Sequence, residues 1–312
     1  MTLFPSVSKG DLATYLKQFK KSLPLYLLLL PSLVLLLVFS YYPMYGLVIA
    51  FKDYSPSLGF SGSPWVGFKH FSQFFHSYQF GLTIKNTLAI SLYSIFIGFP
   101  LPIAIALLSN QLRSEKFKKV FQVTTYFPHF ISVMVVVGMI LIFFSPETGI
   151  VANLFRLLGL TFPNILANTS FFKDIYVWSD VWQHSGWDSI VYIAALASID
   201  PTYYEAADMD GASRFQKIVH IDIPHLIPTM VVLLILRAGG LLSVGFEKVL
   251  LLQNPLNLAS SEIISTYVYK MGLQSFQYSL STAIGLFNTL VNLVILLTVN
   301  WLAKKYTENS LL

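Results

Sequence analysis

The stretch PTYYEAADMDGASRFQKIVHIDIPHLIP, residues 201–228, is polar and lies between long apolar runs. Asp200 followed by Pro201 predicts a helix start, with an N-cap acceptor and a proline at the first helical position. Tyr203 to Met209 supplies about two turns of helix. Gly211 then permits a positive φ and a sharp turn. Beyond it, Phe215, Ile218 and Ile221 form one apolar stripe, with Arg214, Lys217 and His220 largely off it. Pro224 and Pro228 are expected to disrupt the approach to the next apolar run. The spacing therefore predicts two short helices joined by an elbow, held at the edge of a membrane.

The rest of the chain supplies that membrane. Of 312 residues, 55% are hydrophobic and only 11% charged, where a soluble domain carries about a quarter charged residues. The pattern is that of an all-helical, polytopic membrane protein. Six apolar runs are long enough to cross about 30 Å of hydrocarbon: Leu23–Ala50, Ile84–Asn110, Val120–Pro146, Asp174–Ile199, Leu226–Phe246 and Leu280–Ala303. Residues 1–22 read as a polar tail with an interfacial helix over Asp11–Lys21, and 23–312 as one transmembrane domain. The first run is too long for a cleavable signal and lacks a small-residue cleavage site. Residues 51–83 and 147–173 read as long loops.

Charge gives the orientation. The tail (Lys9, Lys17, Lys20, Lys21), the Arg113–Lys119 loop, Arg214 with Lys217, and Lys304 with Lys305 fall on one side. Basic residues concentrate in cytoplasmic loops, so both termini and the 200–228 elbow are expected in the cytoplasm. The net charge of +5 suits this topology rather than nucleic-acid binding. With no cysteine, disulfides and thiolate metal sites are excluded.

The elbow also carries a resemblance. Glu205-Ala206-Ala207, Asp210-Gly211-Ala212, Phe215, Ile218, Pro224 and Pro228 resemble the EAA motif of bacterial ABC importer permeases. Ile227 stands where that pattern often has a basic residue. Tyr42-Pro43-Met44-Tyr45-Gly46-Leu47, Pro64-Trp65-Val66-Gly67, Tyr126-Phe127-Pro128-His129, Thr266-Tyr267-Val268-Tyr269 and Ala283-Ile284-Gly285-Leu286-Phe287 look like the LplB-type branch of carbohydrate permeases. The similarity covers nearly the whole chain after about residue 20. It implies a type I (MetI-like) importer fold whose 200–228 loop is a coupling helix docking on an ATPase. It also implies a heterodimer with a second, homologous permease, two ATPase subunits that bind ATP and Mg²⁺, and an extracytoplasmic lipoprotein that delivers a glycan. This chain would hold no cofactor of its own. Glu205, near the start of a short helix and able to take a bidentate guanidinium, is the residue best suited to the ATPase contact. Ala206 and Ala207 keep that face slim.

The sequence has no G-x-x-x-x-G-K-[ST], H-E-x-x-H or G-x-S-x-G pattern. Its six histidines show no metal-ligand spacing, so no catalytic or metal site is expected. The fourth run is unusually polar, with Trp178, Asp180, Trp182, Gln183, Trp187 and Asp188. Carboxylates in a span cost several kcal/mol facing lipid, roughly 2.5–3.5 on insertion scales, and so face protein or a wet cavity. Aromatic faces beside carboxylates and amides suit a sugar, and Arg237, Asn288 and Asn292 complete a candidate substrate path. The competing readings are an aromatic belt for the tryptophans and helix–helix bonding for the polar groups, with Arg237 paired to an acid on another subunit. The sequence thus points to an importer permease for an oligosaccharide. The alternatives are a permease for another solute such as glycerol phosphate, an ATPase-independent secondary transporter, and an intramembrane enzyme without visible catalytic residues.

Overall fold

The computed structural model describes residues 9–307; residues 1–8 of the expected tail and residues 308–312 lie outside the described residues. Among the described residues the regular structure is helical apart from one isolated antiparallel bridge, Lys52 to Trp65. Four helical stretches are long and apolar enough to cross a membrane: Lys21–Phe51, Tyr78–Asn110, Arg214–Gly239 and Tyr278–Lys305. The helix expected over Asp11–Lys21 is the first part of one longer helix, Lys9–Leu36. That helix runs on through a π turn over Leu37–Tyr41 and a 3-10 stretch over Tyr45–Phe51.

Three expectations are corrected. The run Val120–Pro146 is not one straight span. It consists of Glu115–Phe130 and Val133–Phe143, bent by 94°. The cause is local: Pro128 sits in a 3-10 turn over Phe127–Phe130, and Ser132 then caps a new helix by accepting from the Val135 N–H at 3.4 Å. The elbow's second helix is also not short. Arg214–Lys217 continues without a break into Ile223–Gly239. A π turn over Ile218–Asp222 joins them, and Pro224 follows within the first turn of the next piece. The wider turn accommodates a residue that has no N–H to give and whose ring crowds the carbonyl four back. The two loops, finally, are not unstructured: they hold helices over Lys69–Phe75 and Ile150–Leu157.

The fourth run is a single helix, Phe172–Ala197, of 26 residues, ~39 Å long at 1.5 Å per residue. Its polar content keeps it outside the set of strongly apolar helices, and the core explains why it tolerates that content. Val177 and Val181 are buried against Ile90 of the second span and Val244, Val249 and Ile263 of the segment after the fifth. Gly186 lets this helix approach another backbone: a Cβ there would fall 1.9 Å from the Thr125 carbonyl oxygen. The segment 246–274 folds into short helices over Phe246–Leu252, Leu258–Ser261 and Ile264–Tyr269. Its backbone polar groups are met from inside, as an irregular segment at membrane depth requires. Asn86 donates to the carbonyls of Ala259 (3.0 Å) and Glu262 (3.1 Å), and Asn257 donates to that of Leu252 (3.1 Å).

Asn86 is a test of this packing. Asn86→Leu takes the donor from the buried Glu262 carbonyl, a cost of about 1–3 kcal/mol, and from the part-buried Ala259 carbonyl, which costs less. We expect the melting temperature of the purified protein to fall, with Asn86→Gln falling less.

Candidate functional site

The elbow is built from local signals. Asp200 accepts from the Thr202 N–H at 2.9 Å, and Pro201 opens the helix Pro201–Met209. That N–H bond holds the Asp200 carboxyl below its ordinary value. At the far end Gly211 has φ +72°. Its N–H reaches the Asp208 carbonyl (3.1 Å), and that of Ala212 reaches Ala207 (2.9 Å), the double bond of a Schellman stop. The next helix begins at once. Ser213 accepts from the Gln216 N–H (3.4 Å), and the Gln216 side chain accepts from the Ser213 N–H (2.7 Å). This capping box, S-x-x-Q, was readable in the sequence and is a feature our reading passed over. Lys217 and Asp208 pair across the turn. Glu205, Ala206, Asp210 and Pro224 are exposed, Ala207 and Ala212 half-buried. Met209 and Phe215 stand out at 89% and 73% exposure, so the tip presents two large apolar groups beside the carboxylates of Glu205, Asp208 and Asp210.

The polar helix Phe172–Ala197 distributes its candidate residues over three faces. Asp180, His184 and Asp188, four residues apart, share one face. They line a cavity of about 380 Å³ together with Ser91, Ser94 and Arg237. Every charge there is paired. The Arg237 guanidinium meets Asp188 at 2.5 Å and donates to the Gly98 carbonyl at 3.2 Å. Asp180 lies 3.4 Å from both Lys248 and His184. The acid that holds Arg237 is thus on this chain. Lys248, only 3% exposed, comes from the segment after the fifth span and was not singled out from sequence, because nothing local marks a buried lysine.

Trp178 and Trp182 line a different, almost wholly apolar cavity of about 450 Å³ with Met139, Ile140 and Phe143. Trp178 donates to the Tyr93 hydroxyl at 3.1 Å. Trp187 stacks on His129, with ring centres 4.5 Å apart and planes 2° from parallel, and lines a further cavity of about 560 Å³ with Asp188 and Arg237. Gln183 is buried and donates to the Ile131 carbonyl at 2.8 Å, which holds the chain just before the Ser132 cap. Asn292 accepts from the Leu242 N–H (2.9 Å) and donates to Ser243 (3.1 Å), tying the last span to the cavity wall. Asn288 Oδ1 is buried without a hydrogen-bond partner among the described residues. The candidates therefore separate. Asp180, Asp188 and Arg237 share one cavity, Trp178 and Trp182 share another, Trp187 joins Asp188 and Arg237 at a third, and Gln183 and Asn292 serve packing.

Comparison with known proteins agrees with this architecture. Residues 98–308 match the family model described as the binding-protein-dependent transport system inner membrane component. Protein LplB of Bacillus subtilis (strain 168) is 41% identical over 98% of this chain and 96% of its own length. The polygalacturonan/rhamnogalacturonan transport system permease protein YteP of the same organism is 43% identical over 92% of this chain and 89% of its own. A crystal structure of a bacterial ABC transporter involved in the import of the acidic polysaccharide alginate contains a chain that superposes with a TM-score of 0.87. That chain is 43% identical, covering 94% of this chain and 99% of that one. A related structure, at TM-score 0.87 and 42% identity, is of the alginate transporter in complex with a periplasmic protein bound to an alginate pentasaccharide. In such a transporter ATP hydrolysis lies in separate subunits. By the span of the family match and by these identities, the chain belongs to the binding-protein-dependent transport system inner membrane components: it is a multi-pass permease subunit of an ABC importer.

Proposed function

We propose that this permease subunit imports an oligosaccharide or polysaccharide fragment handed over by an extracytoplasmic binding lipoprotein. It works beside a second, homologous permease and two ATPase subunits. The likeness to transporters named for polygalacturonan and alginate supports the substrate class. The observation that carries the reading is the cavity walled by Asp180, Asp188, Arg237, Ser91 and Ser94. Polar groups of this density within membrane helices belong at a wet path rather than against lipid. Six spans fit the chain when the bent pair Glu115–Phe143 and the polar helix Phe172–Ala197 are each taken as one crossing. Both termini and the 200–228 elbow then lie in the cytoplasm, and the elbow is the coupling helix, with Glu205 and the exposed Met209 and Phe215 meeting the ATPase. Asp188 with Arg237 serves the path, and Trp182 belongs to a separate apolar wall.

The test is ATP-driven uptake of a labelled uronate oligosaccharide by the complex reconstituted in vesicles. Asp188→Ala leaves Arg237 without its acid, and we expect uptake to fall at least tenfold. The complex should still assemble with the ATPases. Trp182→Ala should fall by less than threefold. Equal loss of assembly in Asp188→Ala would assign the pair to packing.

Topology gives a second check. A reporter fused after Lys119 is expected to report cytoplasm, and one inserted near Thr161 the outside. Reversed signals contradict the placement of the elbow.

A further inference from the structure

Asp222 is a carboxylate with no exposed surface, and no ion pair to it occurs among the described residues. Burial of such a group is costly unless neutral donors satisfy it. Two do. The Tyr204 hydroxyl donates to Oδ1 at 2.5 Å, and Gln111 Nε2 donates to Oδ2 at 3.3 Å. These donors come from different parts of the chain. Tyr204 stands on the elbow's first helix, next to Glu205. Gln111 stands in the turn after the second span. Asp222 itself closes the π turn Ile218–Asp222 that leads into the fifth span, and such turns often mark functional positions. Ser109 of the same turn as Gln111 accepts from Gln122 at 3.1 Å, so that turn is held in place as well. An apolar cluster of Ala106, Tyr192, Leu196, Ile199 and Leu226, with Tyr204 packed against it, surrounds the junction. Burial first, and then the Asp222 carboxylate, hold the Tyr204 phenol above its ordinary value, so it remains a donor.

We propose that Asp222 is a positioning residue for coupled transport: its two hydrogen bonds lock the elbow, the inner end of the second span and the root of the fifth span into one body. This rests on the elbow being the coupling element. An elbow joined to its spans only through Gly211, the Lys217–Asp208 pair and apolar contacts can rock without carrying the spans along. Oriented hydrogen bonds fix an angle where apolar contacts only fix proximity. Force applied at Glu205 then reaches the second and fifth spans together, and both wall the polar cavity through Ser91, Ser94 and Arg237.

The test uses the full complex in vesicles and reads uptake per ATP hydrolysed, beside the amount of assembled complex. Tyr204→Phe removes one donor to Asp222, together with the hydroxyl's hydrogen bond to Asn110. We expect uptake per ATP to drop about tenfold, the scale of a hydrogen bond to a charged group, with normal amounts of complex and persisting hydrolysis. Asp222→Ala should drop further. Asp222→Asn keeps an acceptor for Tyr204, and its amide can pair with a flipped Gln111, so its ratio should recover to within about threefold. Should Tyr204→Phe and Asp222→Asn both keep the full ratio, or lower only the amount of complex, Asp222 is structural and the inference is overturned. Glu205→Ala run in parallel separates the two claims. A lowered ratio in Glu205→Ala with an unchanged one in Tyr204→Phe sinks the lock alone. An unchanged ratio and unchanged ATPase association in both sinks the coupling reading itself.

Discussion

Gly211→Val is expected to lower coupled uptake at least tenfold while the protein still inserts and still accumulates in the membrane. Gly211 has φ +72°, and an added Cβ meets nothing within 4 Å. The penalty is therefore purely one of backbone conformation. An ordinary L residue there costs roughly 1–2 kcal/mol, and a β-branched one more. The chain escapes that strain by leaving the left-handed region, which breaks the Schellman pair from Gly211 and Ala212 and changes the elbow angle. The prediction is graded: Gly211→Asn retains most uptake because asparagine tolerates this region, Gly211→Ala is intermediate, and Gly211→Val falls at least tenfold. Flat activity across the three would show that the elbow angle is not transmitted.

Gly186→Val has the second large effect, and its nature is different. A Cβ at Gly186 would lie 1.9 Å from the Thr125 carbonyl oxygen and 2.4 Å from its carbon. These are backbone atoms, so no side chain can swing away, and the polar helix must separate from the helix Glu115–Tyr126. Overpacking costs about 1–3 kcal/mol where neighbours yield, and more where they do not. The same contact positions Gln183 against Ile131 and Trp187 on His129. We expect the amount of detergent-stable complex and uptake to fall together, several-fold for Gly186→Ala and nearly completely for Gly186→Val. Gly285→Ala is the control: nothing lies within 4 Å of that added Cβ, so it should be silent. Size-exclusion of the purified complex reads both outcomes.

What was legible in the sequence was local. The elbow could be read because its determinants, Asp200-Pro201 at one end and Gly211 in the middle, act within a few residues of themselves. The apolar runs could be read because membrane insertion depends on composition over about twenty residues. The bend between Phe130 and Val133 was missed although Pro128 and Ser132 announce it, since hydropathy is continuous across them. The sequence also led us to expect that Pro224 and Pro228 would disrupt the approach to the fifth span. A π turn removed the conflict instead, and a pattern of single residues does not reveal where such a turn will form. Partners distant in sequence were not visible at all. Lys248 beside Asp180, Gln111 beside Asp222 and Asn86 beneath Ala259 are meetings set by helix packing. The grouping of Asp180 with Asp188 follows from four-residue steps, but the separation of Trp182 from them required knowing which face met which helix.

The central claim is that the tip of the 200–228 elbow meets an ATPase subunit on the cytoplasmic side. The chain contains no cysteine, so a single introduced thiol reports without background. Met209, 89% exposed at the tip, is the position for it. In membranes holding the whole complex, Met209→Cys should form a disulfide or a short bifunctional cross-link to an ATPase subunit carrying one surface cysteine. The yield should change with nucleotide, and a membrane-impermeant thiol reagent added outside intact cells should not label it. Labelling of Met209→Cys from outside, or the absence of any ATPase cross-link in a complex that transports, would contradict the account.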